Sequence, residues 1–173
     1  MISEEFFIKW FHGPLGLENY RYREVARTIN AVRLEKPGFE RNKVCDWVTA
    51  LPYIKQHYFS ENLYLSIAFY KEPAIREPVF QYLFYDFDFE PDPDLAIRKG
   101  LEFANSLRKR FGIDVVLVKS GFKGLQLIIP LKKPIDFETY SYIWNYLVQP
   151  YDYSLVLDRK VCEPRRLQRI PYT

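Results

Sequence analysis

Between residues 79 and 89 the chain reads VFQYLFYDFDF, and no other stretch restricts its fold as much. Aliphatic and aromatic side chains fill both alternating positions, the pattern of a strand inside a sheet covered on both faces. Such residues also suit a pleated backbone. Asp86 and Asp88 interrupt the pattern on one parity only. A strand alternates its side chains, so both carboxylates leave the same face, roughly 6.6 Å apart along the backbone. Burying either charge is costly without compensation, and crowding two like charges makes it harder to ionise both. A divalent cation resolves both problems, whereas a lone salt bridge answers half. Such a pair can hold two ions roughly 3.5–4 Å apart, one beside an attacking oxygen and one beside the leaving oxygens. Oxygen-only ligands point to Mg2+ or Mn2+ rather than zinc. Glu90 shares the parity but precedes Pro91, which begins a turn, and it ranks lower. The plain alternative is a solvent-facing strand end whose acids limit aggregation. The aromatic residues on both sides argue against an ordinary wet edge.

The punctuation around this strand predicts an α+β plan. Downstream, Asp92 is a helix cap, Pro93 suits the first helical position, and Asp94 complements the helix dipole. Ile97, Leu101, Ala104, Leu107 and Phe111 then form one buried stripe, and Gly112 stops the helix. A second buried-type strand follows at 113–119, a turn at 120–124 and a third strand at 125–131, together a hairpin. A helix at 137–147 begins after a break at Pro134, and short strands are expected at 155–157 and 167–170. Upstream, residues 4–11 read as a helix with Phe7, Ile8 and Phe11 on one side. Strands are expected at 29–34 and 63–70, and a helix at 43–57 interrupted at Pro52. Strand, helix, hairpin, helix, strand is an α+β architecture around a mostly antiparallel sheet flanked by helices.

Length and composition bound the rest. The 173 residues suit one domain over 1–173, and 48% hydrophobic and 18% aromatic content can bury a sizeable core. A formal charge of +3 is compatible with a polyanionic partner without establishing one. Cys45 and Cys162 stand far apart, and His12 and His57 lack zinc spacing, so no structural zinc is expected. The acidic, aromatic N-terminus has no signal-like segment, and no apolar run reaches membrane-spanning length. An intracellular, cytoplasmic protein without a membrane partner is the expectation. The chain stops at Pro171-Tyr172-Thr173 after an apolar and basic stretch, from which a truncated C-terminal end is expected.

Two further segments carry candidate chemistry. In SGFKG at 120–124, glycines permit unusual backbone positions and exposed N–H groups make an anion-binding concavity. Ser120 can donate to phosphate and Lys123 adds charge; the bland reading is a flexible hairpin. The turn does not match a Walker P-loop, which places GK[ST] before a helix. In DRKVCEPRRLQR at 158–169, Arg165, Arg166 and Arg169 are suited to clamping phosphate bidentately. The alternative is a solvated charged face, weakened because Leu167 and Ile170 alternate with polar positions.

With these residues in view, the chain resembles the archaeo-eukaryotic primase superfamily, the small catalytic primase subunits and primase-polymerase domains. Tyr85-Asp86-Phe87-Asp88 is similar to its hydrophobic-DxD motif, and the stretch from Ser120 to Gln126 to its SGxxGxH motif. Leu157-Asp158 with Arg166-Leu167-Gln168-Arg169 resembles the third acidic motif and the basic strand after it. Tyr22 to Ala26 is similar to an RREFA-like segment, and Tyr64 to Tyr70 to a YxSxAxYY-like strand. The resemblance implies a primase-polymerase catalytic core in which Asp86, Asp88 and Asp158 bind Mg2+ or Mn2+. It also implies that Ser120, Lys123, Gln126, Arg166 and Arg169 meet nucleotide phosphates. The implied activity is template-directed nucleotidyl transfer, making or extending primers on single-stranded DNA from nucleoside triphosphates. A large primase subunit or a helicase domain is an implied partner outside the chain. Three departures stand out: Gln126 replaces the family histidine, the zinc knuckle has no ligands here, and the chain ends where relatives continue. The competing expectations are a metal-dependent nuclease or phosphoesterase, and a catalytically weakened primase-like subunit that binds nucleic acid.

Overall fold

The computed structural model describes residues 3–16, 18–28, 39–57, 62–120 and 124–170. In chain order the elements are α1 (Glu4–His12), β1 (Arg23–Thr28), β2 (Phe39–Cys45), α2 (Trp47–His57) and β3 (Leu63–Ser66). There follow β4 (Val79–Asp88), α3 (Pro93–Phe111), β5 (Val116–Ser120), β6 (Gly124–Asp136), α4 (Phe137–Val148) and β7 (Leu167–Arg169). Short 3-10 turns occupy Glu18–Tyr20 and Arg159–Cys162. The chain divides into two compact units, Met1–Gln81 with Pro164–Thr173, and Tyr82–Glu163. Among the described residues no helix is long and apolar enough to cross a membrane.

In the first unit four strands pair in the order β2-β1-β3-β7, each contact antiparallel. Val25, Leu63 and Leu65 send their side chains to one face, where they meet Phe7 and Phe11 of α1 and Ala50 and Ile54 of α2. Ser3 starts α1 by accepting a hydrogen bond from the Phe6 amide at 3.2 Å, and Gly13, at φ 73°, ends it. The helix expected at 43–57 begins later than its hydropathy suggests. Residues 43–45 belong to β2, and Asp46 starts α2 by accepting from the Thr49 amide at 3.0 Å. Pro52 lies inside α2 without interrupting it. The strand expected at 29–34 falls outside the described residues; β1 runs just before it.

The most buried charge in this unit is Arg23. Its guanidinium is fully buried and stacks 4.6 Å from the Phe69 ring centre. Nε donates to the Ser66 carbonyl at 2.8 Å, and Nη1 donates to the Trp10 and Phe11 carbonyls at 2.9 and 3.3 Å. A buried cation is tolerable only when its donors are met in this way. The Ser66 hydroxyl donates to the Ala68 carbonyl at 2.7 Å and accepts from the Glu24 amide at 3.0 Å. The two upstream motifs of the resemblance therefore meet in one polar cluster beside the first unit's core.

The second unit is built on a sheet of order β4-β6-β5. β4 is buried along both faces, as its composition predicts, yet it stands at one end of that order rather than inside it. Side chains and a second segment close its free edge: Trp144 Nε1 donates to the Phe84 carbonyl at 2.8 Å, and residues 156–158 pair with 86–88. An aromatic core packs beside it, with Tyr85 stacked on Trp144 at 5.1 Å and Phe103 edge-on to Tyr85 at 5.0 Å. Phe87 and Tyr153 meet edge-on at 5.3 Å.

Three expectations are corrected here. The buried stripe of α3 is Ala96, Gly100, Phe103 and Leu107; Leu101 and Phe111 are exposed, so the helix is turned by about one residue. Gly100 explains the turn, because a Cβ there would meet Leu125 Cδ2 at 2.9 Å, and its absence brings that face onto β6. β5 is an exposed edge, with Val116 and Leu117 both open to solvent, rather than a buried-type strand. Pro134 breaks nothing: β6 continues to Asp136, which then caps α4 by accepting from the Thr139 amide at 2.8 Å.

Candidate functional site

Alternation along β4 separates the aromatic core from the acids. Tyr85 and Phe87 both turn toward Phe103, so Asp86 and Asp88 leave the opposite face. Asp86 is half-buried, with its Oδ1 oxygen shut off from solvent, while Asp88 is exposed at the strand end. Phe87 forms an antiparallel bridge with Leu157. On either side of it the Asp88 amide donates to the Val156 carbonyl at 2.8 Å, and the Asp158 amide donates to the Asp86 carbonyl at 2.9 Å. This pattern sets Asp158 directly across from Asp86, on the Asp86 side of the pairing. The Asp158 carboxylate caps the Arg159–Cys162 turn, accepting from the Lys160 amide at 2.9 Å. Val161, fully buried, anchors that turn.

Among the described residues no group of three or more His, Cys, Asp or Glu side chains is gathered tightly enough to hold a metal ion. The backbones of Asp86 and Asp158 are neighbours, while the Asp158 carboxylate is turned to its cap. The donor set nevertheless suits a hard cation: two carboxylates on one strand face, one of them with an oxygen withdrawn from water, and a third acid on the adjoining segment.

β6 lies on the other edge of β4. Leu125 and Leu127 face α3, because both approach Gly100. Gln126 therefore takes the opposite face, the one that carries Asp86 and Asp88, and it is only 6% exposed. Gly124 sits flush on the β4 backbone, so close that a Cβ would stand 1.8 Å from the Phe87 carbonyl oxygen. Ser120 ends β5 opposite Gly124; its side chain, and Lys123 with the rest of 121–123, lie outside the described residues.

The basic positions belong to the first unit. Arg169 pairs with Tyr64 across β7 and β3, and its guanidinium donates to Asn62 Oδ1. Burial raises the Tyr64 phenol above its ordinary range, and the positive charges of Arg169 and Arg166 pull it back down. Those three side chains thus share one electrostatic neighbourhood. Arg165, grouped with them in the sequence, instead forms a 3.0 Å ion pair with the buried Glu24. Sequence reasoning assigned no separate role to Arg23 or Gly124. A lone arginine among charged neighbours looks like surface, and the contact across β4 and β6 leaves no local mark.

No family model and no curated protein matches the chain. Among solved structures, it is similar to the polymerase domain of Mycobacterium tuberculosis Ligase D, determined in complex with DNA. The two are 14% identical with a TM-score of 0.59, over 98% of this chain and 76% of that one. At that identity the likeness is one of fold: the chain shares the α+β architecture of that domain, with antiparallel sheets flanked by helices.

Proposed function

We propose that the chain is a nucleotidyltransferase domain that makes or extends primers on a DNA template. The observation that carries this reading is the pairing of 156–158 with 86–88, which brings the backbone of a distant third acid beside the two acids of β4. The fold likeness to a polymerase domain solved with DNA supports it. In the proposed reaction a primer 3′-hydroxyl attacks the α-phosphate of an incoming nucleotide and pyrophosphate leaves. Asp86, Asp88 and Asp158 would hold Mg2+ or Mn2+, whose charge lowers the cost of the negative charge developing on phosphate. Gln126, on the acid face, donates its amide N–H to a phosphate oxygen. Ser120, Lys123, Arg166 and Arg169 are assigned to phosphate on the chemistry of their side chains.

Extension of a labelled primer on a template tests the reading. Asp86→Asn and Asp88→Asn should each lower extension by roughly a hundredfold or more while the fold melts normally. Unchanged extension in both would sink the mechanism, and a primer that shortens would mark a metal-dependent nuclease. One observation favours a second reading, a catalytically weakened subunit that retains binding. Gln126 stands where the resembled family has histidine, and a neutral amide is a weaker phosphate donor than imidazolium. Template binding without extension, at any Mn2+ concentration, would select that reading.

A further inference from the structure

Gly124 opens β6, and a Cβ built on it would stand 1.8 Å from the Phe87 carbonyl oxygen, 2.9 Å from its carbonyl carbon and 3.1 Å from Asp88 Cα. These are backbone atoms, so no change of rotamer makes room. β6 therefore approaches β4 more closely here than a residue with a side chain permits. The approach falls at Phe87 and Asp88, the last two residues of β4, with Asp86 directly before them. The opposite edge of the same residues is held by the hydrogen bonds to 156–158. With both edges engaged, a group forced in at Gly124 displaces the Phe87–Asp88 backbone or drives β6 away from it. Further back, β4 is anchored by Tyr85 against Trp144 and Phe103, so the disturbance concentrates at the acid-bearing end.

We infer that Gly124 is a positioning residue, whose missing side chain lets β6 lie flush against Phe87 and Asp88 and so sets where the carboxylates of β4 stand. The inference rests on the cation-binding reading of Asp86 and Asp88 proposed above. Gly100 supplies a matched control. An added Cβ there meets Leu125 Cδ2 at 2.9 Å, the far end of a flexible side chain, and its three nearest atoms all belong to β6 side chains rather than to the β4 backbone.

The test is Mn2+ binding, followed by the electron paramagnetic resonance of free Mn2+, together with thermal melts of each variant. Wild type should bind Mn2+, G100A should bind within about twofold of it, and G124A should fold yet bind at least roughly tenfold more weakly, as changes that misorient metal ligands usually do. A folded G124A with wild-type Mn2+ affinity overturns the positioning role. So does a G124A chain that shows no cooperative melt while G100A folds, because the glycine then serves the fold as a whole. A wild type that binds Mn2+ no better than the D86N/D88N double variant overturns the cation reading itself and this inference with it. That result is told apart from the other two by the wild-type titration alone.

Discussion

Gln126 carries the sharpest residue-level question. The residue is only 6% exposed and shares a face with Asp86 and Asp88, so it does not stand out into solvent. A hydrogen bond to an ionised phosphate is worth about 1.5–3 kcal/mol, and imidazolium adds to it a full positive charge that an amide lacks. Gln126→His should therefore tighten nucleotide binding by roughly fivefold where the imidazole is protonated. Burial lowers a histidine pKa and a neighbouring phosphate raises it, so the gain belongs below about pH 6.5 and fades toward pH 8. Nucleotide titrations of both proteins at pH 6 and pH 8 decide the matter. Equal affinities at both values would remove Gln126 from the phosphate site.

At the scale of elements, the helix caps were the most legible features and the helix faces the least. Asp92 caps α3 by accepting from the Leu95 amide at 2.9 Å, as its place before Pro93 predicts. Asp92→Ala should cost about 1 kcal/mol in urea unfolding, and no loss of midpoint would show that the cap contributes nothing. Asp136 caps α4, and the Thr139 amide and hydroxyl hold its carboxyl below the usual aspartate range. A depressed folded-state pKa contributes stability that is complete above the unfolded pKa, about 3.9, and is lost as pH falls through the folded value. Asparagine caps equally well but does not titrate. Asp136→Asn should therefore melt within about a degree or two of wild type at neutral pH and lose less stability than wild type on acidification below pH 4. Parallel melting curves for the two proteins from pH 7 to pH 2 would refute this linkage. The face of α3 was misread because periodicity shows that a stripe exists without weighing Gly100, which contributes closeness rather than hydrophobicity.

For the molecule as a whole, a net charge of +3 is too small to hold a nucleic acid by its general field. On the function proposed above, affinity for a template would come from a few placed cations, and Arg169 is one whose surroundings are defined. Arg169→Ala should weaken template binding and reduce the slope of log affinity against log salt by about one counterion's worth. Asn62→Ala removes one acceptor of Arg169 but keeps its charge, so the salt slope should stay at the wild-type value. A slope that changes equally in both variants would mean that the arginine acts through local structure rather than through phosphate.

Local chemistry written in the sequence was enough to determine several features: the paired parity of Asp86 and Asp88, the buried character of β4, the caps at Asp92 and Gly112, the β5–β6 hairpin and the α+β plan. Each depends on neighbours a few residues apart, where propensity, alternation and capping act. Tertiary structure alone decided the rest. Among the described residues the strands form two sheets where one was expected, Arg23 was buried by carbonyls from α1 and β3, and Asp158 was brought beside Asp86 while its carboxylate went to a cap. Gly124 was pressed onto the Phe87 carbonyl. These outcomes are contacts between residues far apart in the chain. Backbone pairing and the absence of a Cβ set them, and neither leaves a periodic trace in the sequence.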